Sequence, residues 1–123
     1  LKLCHTNICH QAILYPSIVF EKYHYNVRYK DLADHEFNMR CWADPLLRFE
    51  YVPVVVAEYN DQGNSGVSYD HAFQAERMDL VWRYFPDVAP LYWAMTAVSR
   101  PVARGLERIG VKAGVKRVMR RLW

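Results

Sequence analysis

The residues best suited to chemistry lie in "DLADHEFNMR", residues 31–40. Helical spacing predicts a helix from Leu32 to Trp42 with Asp31 as its cap and Pro45 just past its end. That helix sets Asp34 close to its N-terminus, where the positive end of the helix dipole favours a carboxylate. A carboxylate so placed can accept a proton from a substrate hydroxyl. Glu36 falls roughly 200° round the helix from it, so the two acids are not a close pair. By itself, Asp34 reads more readily as a helix-capping and surface acid than as a catalytic one.

A second string, "CHTNICH", puts Cys4, His5, Cys9 and His10 within seven residues. Thiolate and imidazole suit zinc, but tetrahedral sites draw their ligands from separate segments. Four ligands packed this tightly would strain the backbone. The string also stretches the haem-attachment pattern beyond its standard spacing. The apolar run from Ile8 to Tyr15, bounded by Pro16, predicts a buried strand instead. Cys4, Cys9 and Cys41 cannot all pair within one chain. They are expected as small buried hydrophobes in a reducing cytoplasm.

Other elements must hold these residues in place. Ser17 is expected to cap a short helix through Ile18, Val19, Phe20 and Tyr23. "YHYNVRYKD" then reads as an aromatic-rich loop. "FEYVPVVVAEY", from Phe49 to Tyr59, is β-branched and aromatic and predicts a buried strand, with Pro53 marking an edge or bulge. "NDQGNSG" is a loop. Asp70 opens a helix through Phe73, Arg77, Leu80, Val81 and Tyr84 that ends near Pro86. The expected order is β-α-α-β-loop-α, and the expected class is α/β. Trp42, Trp82 and Trp93 are expected as core or packing residues.

The chain has 123 residues, 52% hydrophobic and 15% aromatic, which excludes a disordered segment. No run of about 18 uncharged apolar residues provides a membrane-crossing helix. The chain begins with Leu and shows no leader, so it is expected to be mature or a piece of something longer. Its net charge of +3 hides an asymmetry. Residues 1–99 carry 8 Lys/Arg against 12 Asp/Glu, whereas residues 100–123 carry 8 basic residues and only Glu107. Such a tail points to an anionic surface, membrane or nucleic acid. At 100° per residue Val98, Val102, Leu106, Ile109 and Ala113 fall within about 80° of one another. The phase slips after Gly114, which predicts two short amphipathic segments broken between Gly110 and Gly114.

The run "HQAILYPSIVFEKYHYNVRYKDLADHEFNMRCW", followed by "FEYVPVVVAEYNDQGNSG", resembles the C-terminal half of family 2 glycosyltransferases. The resemblance covers roughly residues 8–85 and rests on the order and spacing of loose motifs. It implies an α/β, partial GT-A (Rossmann-like) domain: an acceptor-side half with a few mixed strands and flanking helices. On this view residues 1–88 are the half-domain and residues 89–123 a basic amphipathic helical tail. Asp34, Phe37 and Arg40 match the family's catalytic helix, which implies Asp34 as the base for the acceptor hydroxyl and Arg40 as a substrate-binding residue. His10 and Gln11 would line the acceptor or donor pocket. Asn60, Asp61, Gly63, Asn64 and Ser65 match a loop that lies near the active site in relatives.

Departures from the family pattern sharpen the expectation. Ala33 stands where many members have Glu, Asn26 replaces a usual Asp, and His24 falls near a usual Gly. No Asp-x-Asp occurs, so the family's Mg²⁺ or Mn²⁺ would belong to the intact enzyme and not be bound by this chain alone. The expectation is therefore a fragment of an inverting enzyme, inactive by itself, on the cytoplasmic side and peripheral to the inner membrane face. Its partners would be a nucleotide-sugar donor, a glycan or lipid-linked acceptor, an anionic membrane surface through the tail, and a second copy through self-association of the half-domain. The rival is a non-catalytic α/β binding module whose basic tail contacts nucleic acid or a protein. Only Trp123 interrupts the tail with an aromatic, which argues against single-strand binding.

Overall fold

The computed structural model describes residues 2–58 and 69–108, the stretch 99–108 as backbone alone. Five helices carry it: α1 (Lys2–His5), α2 (Ser17–Lys22), α3 (Ala33–Ala43), α4 (His71–Tyr84) and α5 (Ala89–Arg108), with a 3-10 turn at His10–Ala12. No strand occurs among the described residues. This overturns the expected α/β, partial GT-A architecture.

The physical reason is visible in the two segments expected to be strands. A strand is stable only when a neighbour takes its backbone N–H and C=O groups. Ile8–Tyr15 instead coils through the 3-10 turn. The Phe49–Tyr59 run forms neither helix nor strand over its described part, and among the described residues its apolar side chains meet no facing strand: Tyr51 is 87% and Val55 92% exposed. Pro53 offers no donor, and the Val54 N–H turns back to the Val52 carbonyl at 2.8 Å, which breaks the pleat. β-propensity describes a fit to a pleated, half-buried surface. Here there is no such surface to fit.

Helix α3 is central. His35, Glu36, Phe37, Asn38, Met39 and Cys41 are all buried, so the middle of the helix is enclosed on every side rather than amphipathic, while Trp42 and Ala43 at its end are exposed. One cluster joins Met39 to Tyr29, Phe73, Leu80, Val81, Ala89, Tyr92 and Cys4. The other joins Phe37 and Cys41 to Val19 and the flanking Tyr15, Tyr23, Leu47 and Phe49. Phe37 stacks on Phe20 at 5.6 Å and meets Tyr15 edge-on at 5.4 Å. Of the tryptophans expected as core or packing residues, Trp42, Trp82 and Trp93 are all exposed and none is in the core, although Trp42 packs its ring on Phe49 with centres 4.7 Å apart.

Caps also differ from expectation. Pro16, not Ser17, precedes the first turn of α2, and Leu32, not Asp31, precedes α3; neither cap position makes a side-chain hydrogen bond. Asp70 takes on more than its predicted share. Its Oδ1 accepts the Phe73 N–H at 3.1 Å and caps α4, while Oδ2 accepts the N–H groups of Asp31 and Leu32 at 3.1 and 3.2 Å. Burial pushes the Asp70 carboxyl up, but these amides outweigh it and hold it below the usual range. One side chain thus ties the entrance of α3 to the start of α4.

Asp44, just past α3, closes the other end. It accepts from Lys22 Nζ at 2.6 Å, from Tyr23 Oη at 2.9 Å and from the Leu46 N–H at 3.0 Å. The Lys22 ammonium first, and then the Leu46 amide, hold its carboxyl at about 2. An unfolded Asp titrates at about 3.9, so between those values the unfolded chain binds more protons and folding weakens as pH falls. Acid titration followed by circular dichroism is expected to show a loss of stability between about pH 4 and pH 2. In Asp44→Asn that part of the curve should be flatter.

Candidate functional site

The N-terminus of α3 opens into a cleft of about 590 Å³ lined by Asn7, Cys9, His10, Tyr25, Lys30, Asp31, Leu32, Ala33 and Asp34. Asp34 is the second residue of α3, where backbone N–H groups have no partner within the helix. Its Oδ1 accepts the His35 N–H at 2.8 Å. Its Oδ2 accepts from Asn7 Nδ2 at 2.7 Å and lies 3.4 Å from His10 Nδ1. The carboxylate is mostly screened from solvent, whereas the His10 ring is more than half exposed.

Asn7 holds this arrangement rigid. While its amide nitrogen donates to Asp34, its Oδ1 accepts from Asn38 Nδ2 at 2.7 Å. Asn38 sits one turn after Asp34 on the same helix face, and also donates to the Ile8 carbonyl at 3.2 Å and accepts from Tyr15 Oη. The segment between α1 and the 3-10 turn is thereby latched to α3 by side chains instead of by sheet pairing. A carboxylate fixed by two donors beside an imidazole is an arrangement that can accept, hold and relay a proton.

The sequence-predicted residues divide into groups. Asp34 and His10 are brought together at the cleft. Gln11 is exposed on the 3-10 turn and does not line it. Arg40 lies about 120° round α3 from Asp34 and is engaged elsewhere: Nε donates to Glu36 Oε1 at 3.2 Å and a second nitrogen pairs with Oε2. Its third contact is the His24 carbonyl at 3.4 Å. Asn60, Asp61, Gly63, Asn64 and Ser65 lie outside the described residues, as does the expected break between Gly110 and Gly114.

Sequence reading passed over Asn7, Tyr25 and Lys30. Nothing local signals them, because Asn7 meets a partner 27 residues away. Tyr25 leans on Phe37 with ring centres 4.6 Å apart and offers an aromatic wall to the cleft. Among the described residues no three His, Cys, Asp or Glu side chains converge on a metal-holding position. Burial disfavours the thiolate at the two buried cysteines, pushing Cys4 up and Cys41 up to about 11.

No family model matches the chain, and no solved structure matches it. Curated relatives do. The "PGL/p-HBAD biosynthesis glycosyltransferase" of Mycobacterium bovis and its namesake in Mycobacterium tuberculosis are each 52% identical to it over 58 residues, 46% of this chain and 23% of theirs. About half of the chain is homologous to glycosyltransferases. The chain spans about a quarter of the length of these relatives, 23%. No described helix is long and apolar enough to cross a membrane.

Proposed function

We propose that this chain is the acceptor-binding part of an inverting glycosyltransferase, with Asp34 as the base. The observation that carries the proposal is the fixed Asp34 carboxylate in an open cleft, within a chain half of which is homologous to glycosyltransferases. The acceptor hydroxyl gives its proton to Asp34 Oδ2 while its oxygen attacks the anomeric carbon of a nucleotide sugar. The nucleotide leaves with the bonding electron pair, and the configuration inverts. The inverting course follows the family 2 likeness of the motif order around Asp34.

His10 and Asn7 fix the oxygen that takes the proton, and Tyr25 forms a flat apolar wall suited to the face of a sugar ring. Lys30 supplies a cation on the cleft wall, and no ion pair engages its ammonium among the described residues. Leaving-group stabilisation is left to the remainder of the enzyme. In support, the sequence has no Asp-x-Asp and the chain covers only 23% of its relatives' length. Alone, it is expected to transfer no sugar.

A radiolabelled-sugar transfer assay tests this with two proteins: the 123-residue chain and a full-length polypeptide carrying it. Turnover is expected only from the second. In that polypeptide His10→Ala should lower kcat about tenfold, since an exposed imidazole that orients a base contributes less than the base itself. Clear turnover by the isolated chain, or an unchanged rate in His10→Ala, would sink the respective part of the proposal.

A further inference from the structure

Helix α5 has two apolar sides, and the core uses one of them. Ala89 and Tyr92 are buried in the cluster that holds Phe73, Leu80 and Val81. Leu91, Ala94, Met95 and Val98 fall within about 100° of one another on the helix, roughly 140° from the buried side. Leu91 is 56% and Val98 65% exposed. In the sequence Val102 and Leu106 keep the same spacing, while Arg100 and Arg104 recur on the other side.

This apolar stripe is not used by the core of the described residues. What covers it is indicated by charge. From residue 100 onward the sequence carries 8 basic residues and a single acid. An apolar stripe continued by a basic run has the make-up of a helix lying in the headgroup layer of an anionic bilayer, apolar side inward. Nucleic acid would satisfy the charge but not the stripe. We propose that α5 docks the protein flat on an anionic lipid surface, with Leu91, Ala94 and Val98 entering the acyl boundary. This inference does not rest on the glycosyltransferase reading.

Co-sedimentation of the full chain with vesicles provides the test. The protein is expected to bind vesicles containing half phosphatidylglycerol at least tenfold more tightly than vesicles of phosphatidylcholine alone. Binding should weaken when salt rises from 0.05 to 0.5 M. The double variant Leu91→Glu/Val98→Glu should lose at least tenfold in binding, with its helical circular dichroism in buffer unchanged. Ala94→Glu alone should move binding the same way, which keeps the test decisive if the double variant loses helicity. Equal binding to both vesicle types, or indifference to these substitutions, overturns the proposal. So does a dimer, seen by sedimentation velocity, that the double variant breaks while vesicle binding persists. Displacement from vesicles by RNA, equal for wild type and variant, would assign the basic run to polyanions and overturn it as well.

Discussion

In a full-length polypeptide carrying this segment, Asp34→Asn is expected to lower kcat by about 10²–10⁴-fold, with a much smaller change in KM. Asn has the shape of Asp but only one acceptor oxygen, so it keeps the bond from the His35 N–H and sets its own NH2 against the Asn7 amide, a local loss of one hydrogen bond. It cannot take a proton. Exchanging charge-assisted hydrogen bonds for neutral ones costs about 1–2 kcal/mol of stability, which thermal unfolding would register separately. The comparison with His10→Ala decides how the proton travels. A loss tenfold or more below that of Asp34→Asn keeps the carboxylate as the acceptor. Equal losses make the imidazole the acceptor and Asp34 its positioning residue. Full retained activity in Asp34→Asn removes Asp34 from the chemistry altogether.

Glu36→Ala is expected to destabilise the fold by about 3–5 kcal/mol, the range for removing one partner of a buried ion pair. Glu36 is almost wholly buried, with the Arg40 guanidinium across both carboxylate oxygens and the Tyr84 hydroxyl donating to Oε1 at 2.6 Å. Truncation strands a guanidinium that is only 24% exposed and leaves a phenol of α4 without its acceptor. For a domain whose total stability is about 5–15 kcal/mol, that is a large share. Urea unfolding measures it. Replacing both partners, as Glu36→Met with Arg40→Met, should recover much of the loss, because apolar neighbours need no charge compensation. If Glu36→Ala were neutral in stability yet impaired sugar transfer, Arg40 would return to the substrate-binding role its sequence match implies.

These two substitutions mark how far the site could be read from the chain alone. Asp34 was legible because helix periodicity and the dipole depend only on local spacing, and α3 forms within one residue of its expected start. Its neighbour on the same helix, Arg40, was not legible. The motif match gave it a ligand role, but its neighbours are Glu36, one turn back, and Tyr84, brought in by α4 from 48 residues away. Asn7 was hidden inside a Cys/His string whose more conspicuous residues hold no metal cluster among the described residues. Asp70 was legible as a cap, because the N–H it caps is three residues ahead. Its hold on the entrance of α3 was not, because those amides lie 38 and 39 residues back.

Sequence by itself determined the features that each segment settles from within: the helices α2, α3 and α4, the place of Asp34 at a helix start, and the division between an acidic body and a basic tail. It misjudged the features that need a distant partner. Val52, Val54, Val55 and Val56 carry strand propensity, but propensity becomes a strand only where another backbone lies alongside, and no such backbone does so among the described residues. Tertiary structure alone decided that the middle of α3 would be enclosed on all sides, that a latch of Asn7 and Asn38 would stand in for sheet pairing, and that α5 would spend one apolar side on the core and leave the other facing solvent. Local spacing fixes a residue's place on its own helix. Only packing decides what that place will face.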